Sequence, residues 1–334
     1  MEDAVTIAID AMGGDNAPSE IVKGAVEGIK ASEQVHILLV GREEILKEEL
    51  KGLSCPQDRL TIVHAPDVIS TAEPPVAAIR SKQESSMVKA FSLVRDGEAD
   101  AFISAGSSGA VLVGGQLIIG KQRGIRRAPL APLIPTEKGA ALLIDCGANM
   151  DARPEHLVQF AQMGSIYMKY VMGIDSPKAA LVNVGAEEEK GNALVKETMP
   201  LLKECEDINF IGSIEARDIP AGYADVIVCD AFVGNVILKM YEGVSSTLMS
   251  VLKQTLKSNL KTMIGGALIQ KPLKEALKRF DSSQYGGAPL LGLKGLVVKC
   301  HGSSTNKEIK NAVLQCETFT KQNINGMIMQ QLKS

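Results

Sequence analysis

Tryptophan is absent, and aromatic residues make up only 4% of the 334-residue chain. Stacking platforms for single-stranded nucleic acid are therefore not expected. A formal net charge of −3 gives no overall basic footprint for a duplex either. No nucleic-acid partner is expected. There are only four histidines, and the six cysteines (Cys55, Cys146, Cys205, Cys229, Cys300 and Cys316) form no C-x-x-C pair. A zinc site and a disulfide framework are both disfavoured, and reduced cytosolic thiols are expected. No apolar run approaches the roughly 20 residues that span a bilayer. The phosphate-loop pattern G-x-x-x-x-G-K-[ST] is missing, and no strand leads into a clean G-x-G-x-x-G. No nucleotide cofactor is expected. A strand pattern begins within the first five residues, so no signal peptide is expected, which points to a cytoplasmic protein. Linkers, low-complexity tracts and fixed-period repeats are also missing, so residues 1–334 read as a single domain.

What the chain does have is alternation. Apolar, β-branched runs occur at Ala4–Asp10, Val35–Val40, Leu60–Ala65, Ala99–Ser104, Ala140–Asp145, Ala179–Val184, Asn209–Gly212, Asp225–Asp230 and Leu296–Cys300. Continuous rather than alternating hydrophobicity fits strands buried on both faces of a parallel sheet. Helical patterns lie between them. In the first, Ile21, Val22, Ala25, Val26 and Ile29 share one face, with Asn16 expected as cap and Pro18 in the first turn. The pattern predicts a doubly wound α/β fold with a mainly parallel sheet. Residues 234–280 carry no strand pattern and read as a projecting helical arm.

In open parallel sheets, ligands bind at the carboxyl ends of the strands. Six strand ends here share one composition: glycine, small polar residues and an acid or amide, followed by a helical pattern. They are Asp10–Asp15 (DAMGGD), Ser104–Ala110 (SAGSSGA), Asp145–Asn149 (DCGAN), Gly185–Gly191 (GAEEEKG), Cys229–Asn235 (CDAFVGN) and Lys299–Ser304 (KCHGSS). Such loops expose backbone N–H groups to an anion, and the following helix adds its positive end. A phosphate or oxyanion pocket is the expected result. Candidate phosphate or substrate contacts in these loops are Asp10, Gly13, Gly14, Asp15, Ser107, Ser108, Asn149, Glu187, Gly234, His301 and Ser303. The acids of DAMGGD are expected to hold the loop by accepting backbone N–H bonds.

A covalent nucleophile is not evident. Gly106–Gly109 reads G-S-S-G, one residue short of the G-x-S-x-G elbow. Cys146 and Cys229 have no histidine nearby in sequence and read as small buried residues. His301 is either structural or poised at the mouth of the pocket. Lys190 closes the acidic run Glu187–Glu189 at what reads as a helix start, against the helix dipole. Local rules are broken more often at functional sites. Asn235, after Gly234 at another apparent helix start, could polarise a carbonyl. Lys190 and Asn235 are the expected catalytic residues. These parts suit a reaction in which the bound anion is itself the nucleophile and needs positioning rather than a base.

Residues 250–279 carry seven basic residues against one acid, a net +6 in an otherwise acidic chain. Leu252, Leu256, Leu260, Ile264 and Leu268 recur every four residues among the lysines. Gly265 and Gly266 are expected to break or loosen a helix there. An apolar tip with basic flanks suits a membrane interface or an acidic protein. The expected contacts are Lys253, Lys257, Lys261, Met263, Ile264, Leu268, Lys271 and Lys274. An amphipathic helix against a partner subunit is the plainer alternative.

Across nearly its whole length the chain resembles the bacterial phosphate acyltransferases of phospholipid synthesis, the PlsX family. The resemblance is carried by DAMGGD (Asp10–Asp15), SSM (Ser85–Met87), LLIDCGAN (Leu142–Asn149), NVGAEEEKG (Asn183–Gly191), FVGNVILK (Phe232–Lys239) and GGAPLLGLKGLVVKCHGSS (Gly286–Ser304). The chain departs from the family pattern at Ser107 and Ser108, where Asn and Thr are usual, and at Ala128-Pro129, which are exchanged. Ser86, in SSM and outside the six loops, is a candidate phosphate or substrate contact only through this resemblance. The resemblance implies transfer of a long-chain acyl group from acyl-acyl-carrier-protein to inorganic phosphate, giving acyl phosphate. It also implies a three-layer α/β/α homodimer like the phosphotransacetylases and isocitrate-dehydrogenase-like proteins, with no cofactor. Peripheral membrane association and delivery of product to a membrane glycerol-phosphate acyltransferase belong to the same expectation. Two alternatives compete with it: a non-catalytic membrane-associated scaffold and a dehydrogenase-like enzyme on a related fold.

Overall fold

A computed structural model describes residues 4–187, 189–278 and 282–332. Glu188 of the acidic run, and Arg279 and Phe280 at the end of the arm, lie outside the described residues. In chain order the elements begin with β1 (Val5–Asp10), α1 (Ser19–Ala31), β2 (Val35–Gly41), α2 (Glu43–Leu50), β3 (Leu60–His64), α3 (Pro75–Ser81), α4 (Ser86–Arg95), β4 (Ala101–Ser104) and α5 (Ser108–Gly114). They continue with β5 (Leu133–Thr136), β6 (Gly139–Ile144), α6 (Pro154–Tyr170), β7 (Lys178–Val182), α7 (Ala193–Glu204), β8 (Asn209–Ile214), β9 (Val226–Val228), α8 (Ala231–Leu256) and α9 (Leu260–Lys278). The last are β10 (Ala288–Leu290), β11 (Leu296–Lys299), α10 (Asn306–Lys321) and α11 (Ile324–Gln331).

The uninterrupted α/β pattern, which reads as one domain in sequence, is shared between two compact units. The first comprises Met1–Pro132, Gln162–Ser176 and Ser283–Ser334; the second comprises Leu133–Ala161 and Pro177–Ser282. One passage from unit to unit, between Ala161 and Gln162, falls inside α6 and so involves no linker.

The first unit is built on a six-stranded sheet in the order β10-β11-β4-β1-β2-β3, parallel except for β10. Helices α1 and α10 pack tightly on each other. Gly24 makes this approach possible, since a Cβ there would lie 2.5 Å from Ile309 Cβ. Helix α4 packs on β1, β2 and β4 and stacks Phe91 on Phe102 with ring centroids 3.8 Å apart. The α1 face foreseen from Ile21, Val22, Ala25, Val26 and Ile29 is buried. Its cap is not Asn16: Pro18 occupies that position without a side-chain bond. The Asn16 amide instead donates to the carbonyls of Ser303 and Ser304 at 3.0 and 3.2 Å.

The second unit has a five-stranded sheet, β5-β6-β9-β7-β8, parallel except for β5. All nine strands expected from the sequence are present, and β5 and β10 are additional. Both additions are short antiparallel edge strands containing a proline, Pro135 and Pro289, which only an edge tolerates. The helical arm runs as two helices that break at Lys257–Asn259, not at Gly265-Gly266. Asn259 Oδ1 accepts the Thr262 N–H and Thr262 Oγ1 accepts the Asn259 N–H, which starts the second helix. Gly266 lies inside α9, where a Cβ would make an ordinary contact 3.5 Å from Leu256 Cβ, so it does not mark a break. The break also ends the stripe read from Leu252 to Leu268 as one face.

Candidate active site

The six glycine-bearing strand ends divide three and three. In the first unit they follow β1, β4 and β11, which are neighbours in its sheet; in the second they follow β6, β9 and β7, again neighbours. Each unit therefore gathers three such loops at the carboxyl edge of its own sheet.

In the first unit the loops are tied to a buried carboxylate. Asp10 is 1% exposed. Its Oδ1 accepts the Ser86 hydroxyl at 2.6 Å and the Met12 N–H at 3.3 Å, and its Oδ2 accepts the Ser104 hydroxyl at 2.7 Å. Ser104 Oγ in turn accepts the Gly106 N–H at 2.9 Å. The glycines are required by closeness. A Cβ on Gly13 would lie 2.5 Å from Asp10 Oδ2 and 2.9 Å from Gly106 Cα. Gly14 has φ +112°, where a side chain is strained as well. Asp15 joins through its backbone, donating to Gly302 O at 2.7 Å. Asp10 thus meets the expectation that it holds the loop, though mostly through serine hydroxyls. Ser107 caps α5 by accepting the Ala110 N–H, and Ser108 is exposed beside it. His301 Nδ1 accepts the Ser303 N–H at 3.2 Å and lies 2.8 Å from Ser303 Oγ, so a neutral ring carries its proton on Nε2.

Burial pushes the Asp10 carboxyl above its ordinary 3.8, against the pull of Ser86, Ser104, the Met12 N–H and the charge of Lys299. A folded-state pKa above the unfolded one gives stability that is full below about pH 3.8 and is lost as pH rises through the folded value. Asp10→Asn removes that titration. The melting temperature of Asp10→Asn relative to the parent is expected to climb as pH rises from 3.8. A difference constant across that range would contradict the raised carboxyl.

In the second unit another buried acid, Asp145, organises the loop after β6. It accepts N–H groups from Ala148 at 3.2 Å and Asn149 at 2.8 Å, and the Asn149 side-chain amide at 2.7 Å. Asn149, foreseen as a substrate contact, places its amide on Asp145. Gly234 packs on the same turn. Helix α8 starts at Ala231, not after Gly234, because Asp230 Oδ1 accepts the Phe232 and Val233 N–H groups at 2.9 and 3.0 Å. Asn235 is therefore a half-buried residue within the second turn. Cys146 and Cys229 are buried, as expected, and burial drives both thiols well above their ordinary 9.0. A thiolate nucleophile is disfavoured at either position.

Lys190 does not open a helix. Asn192 caps α7, which begins at Ala193, and Lys190 lies in the turn before it. That turn is fastened to β7: the Asn183 amide donates to Lys190 O at 3.3 Å, and Asn183 Oδ1 accepts the Val184 N–H at 2.8 Å. The ammonium pairs with Glu187 at 2.8 Å, and both side chains are about half exposed. Glu187 raises the Lys190 pKa and Lys190 lowers that of Glu187, so the amine is a held cation rather than a base. Its stem lies over Gly185, where a Cβ would stand 2.6 Å from Lys190 Cδ.

Along the arm, Lys253, Lys257, Lys261, Lys271 and Lys274 are all exposed, as are Met263, Ile264 and Leu268. On α8, Phe232, Val236, Met240, Val244 and Leu248 are exposed at four-residue spacing, and part of this stripe lines an open apolar groove of about 540 Å³. Among the described residues no cluster could hold a metal ion. Sequence reasoning missed Ser104, Asp145, Asn183 and Asp230. Each is a polar residue ending or just following an apolar strand, and that position was the available signal.

The fold is shared with solved phosphotransacetylases. The EutD phosphotransacetylase from Staphylococcus aureus superposes with a TM-score of 0.60 at 17% identity, over 95% of this chain and 94% of that one. At that identity the likeness speaks for the fold. Residues 5–327 match the family model described as "Fatty acid synthesis protein", and the chain belongs to that family. It is 47% identical over 327 residues to a phosphate acyltransferase from Clostridium acetobutylicum, covering 98% of both chains. A phosphate acyltransferase from Clostridium botulinum strain Loch Maree is 49% identical over 311 residues, 93% of this chain and 92% of its own. The protein is an acyltransferase, which removes the scaffold and dehydrogenase alternatives.

Proposed function

We propose that the protein transfers a long-chain fatty acyl group from acyl-acyl-carrier-protein to inorganic phosphate. The observation that carries this reading is 47% identity over nearly the full length to a phosphate acyltransferase. A phosphate oxygen attacks the thioester carbonyl, the C–S bond breaks, and the carrier thiolate leaves and takes up a proton. The products are acyl phosphate and free carrier thiol. Phosphate is already anionic at neutral pH, so positioning and charge neutralisation carry the catalysis. The inaccessible, neutral thiols of Cys146 and Cys229 fit a route without an acyl-enzyme. Lys190 is assigned to the developing charge and Asn235 to the thioester carbonyl. Incubating the protein with acyl-acyl-carrier-protein is expected to release carrier thiol only when phosphate is present. Release at equal rate without phosphate would replace this reading with thioester hydrolysis.

The exposed stripe of α8 supports a homodimer seam, because apolar residues at four-residue spacing are buried in stable assemblies. Met263, Ile264 and Leu268, flanked by lysines, support peripheral contact with an anionic membrane. Among the described residues no helix is long and apolar enough to cross one. Such a position would deliver acyl phosphate to a membrane glycerol-phosphate acyltransferase. Flotation with anionic vesicles tests the contact: Lys261→Glu together with Lys271→Glu is expected to abolish it, and undiminished flotation would exclude it.

A further inference from the structure

Asp10, Ser104 and Lys299 stand in one row across neighbouring parallel strands of the first unit. Asp10 is in register with Ser104, and Ser104 with Lys299. Each is the last residue of its strand. Lys299 is 7% exposed, and among the described residues no other lysine or arginine is buried. Its amine donates to the Cys300 carbonyl, at the start of the loop that Asp15 and Asn16 bind from the β1 side. Its charge also favours the ionised form of Asp10.

Packing does not call for an ammonium here. Leu296, Val297 and Val298 bury the rest of β11 with apolar side chains. A methionine would fill a similar volume without desolvating a charge, and buried ion pairs are often replaceable by apolar residues without loss of stability. The charge sits where the three glycine loops of this unit converge, at the sheet edge that receives ligands in parallel α/β folds. We propose that Lys299 supplies the buried positive charge that binds the phosphate substrate at the strand ends of the first unit. The Cys300 carbonyl holds its ammonium, and its charge acts on Asp10 nearby. The inference rests on the phosphate acyltransferase reading.

The competing role is neutralisation of Asp10 alone, and a double variant separates the two. In Lys299→Met the KM for phosphate is expected to rise about tenfold or more, the scale of a lost charge-assisted contact, while the KM for the acyl donor stays within about twofold. Lys299→Arg is expected to keep most of the phosphate affinity. If Lys299→Met does not fold, Lys299→Gln against Lys299→Arg makes the same comparison at similar side-chain length. The double variant Asp10→Asn/Lys299→Met removes both charges together. Continued phosphate weakness in it supports the proposal, and recovery of the parent KM assigns Lys299 to neutralisation and overturns it. An unchanged phosphate KM in Lys299→Met or Lys299→Gln overturns it as well. Should the parent show no phosphate-dependent turnover, the acyltransferase reading fails by itself. Melting temperature then decides the role of Lys299: phosphate, against chloride at matched ionic strength, should stabilise the parent and not Lys299→Met. No stabilisation of the parent, or equal stabilisation of both, would sink the proposal.

Discussion

Lys190→Ala is expected to lower kcat a hundredfold or more and leave the melting temperature where it was. The first half follows from the task assigned to the ammonium: deleting one charge-stabilising donor from an acyl-transfer site costs about 10²–10³ in rate. The second half follows from its setting. Lys190 is half exposed, its ammonium pairs with Glu187 three residues away, and surface pairs of this kind contribute little to folding. A matching experiment leaves the lysine in place and moves it. Gly185→Ala would put a methyl group 2.6 Å from Lys190 Cδ, and a flexible stem can swing away from such a contact. A folded Gly185→Ala protein with much reduced kcat would show that the position of the charge matters, not merely its presence. Kinetics with acyl-carrier protein and phosphate, alongside thermal melts, check both. A fully active Lys190→Ala would remove this residue from the mechanism.

Gly234→Ala is expected to show the reverse profile, a large loss of stability. A Cβ at Gly234 would lie 1.8 Å from the carbonyl oxygen of Asp145 and 3.0 Å from Cys229 Sγ. The first contact is with backbone, which cannot rotate away. Either α8 shifts outward or the turn carrying Asp145 is displaced, at a cost of about 3 kcal/mol or more. The melting temperature should fall by several degrees and phosphate-dependent turnover should fall with it, because Asn235 is the next residue. Gly243→Ala is the control. It sits on the same helix with nothing within 4 Å of the added methyl, and replacing a mid-helix glycine there should be neutral or stabilising by up to about 1 kcal/mol. If both substitutions melt alike, the close approach at Gly234 is not what the fold depends on.

Most of the scaffold was legible because buried parallel strands are written as unbroken apolar runs, such as the one ending at Asp10 and the one ending at Ile144. Strands β5 and β10 were not. Each has only three or four residues and a proline, and what makes it a strand is pairing with other segments rather than its own pattern. The start of α8 was misplaced because Gly234-Asn235 looks like a loop, whereas the cap is Asp230 and the glycine serves a backbone contact. Asn16 has the composition of a cap, but its amide is spent across the sheet edge on Ser303 and Ser304. At the candidate site the chemistry of the six loops was readable one loop at a time. Their division into two groups of three depends on strand order, which the sequence does not state. Lys299 went unnoticed for a related reason: at the end of L-V-V-K it resembles an ordinary solvated strand terminus, and only the register beside Ser104 and Asp10 shows it to be buried.

The place of β11 in the first sheet bears on how the molecule is made. β4 lies between β1 and β11, yet the whole second unit is synthesised after β4 and before β11. While the chain emerges, one edge of β4 has no parallel partner, and the loops after β1 and β4 lack the Cys300–Ser304 segment to which Asp15 and Asn16 bind. Such an edge is a template for unwanted pairing, and closing it requires contacts between residues far apart in the chain, which form slowly. The glycine-loop edge of the first unit is therefore completed late, so a prematurely ended chain would carry most of the sheet but not the closed loop cluster.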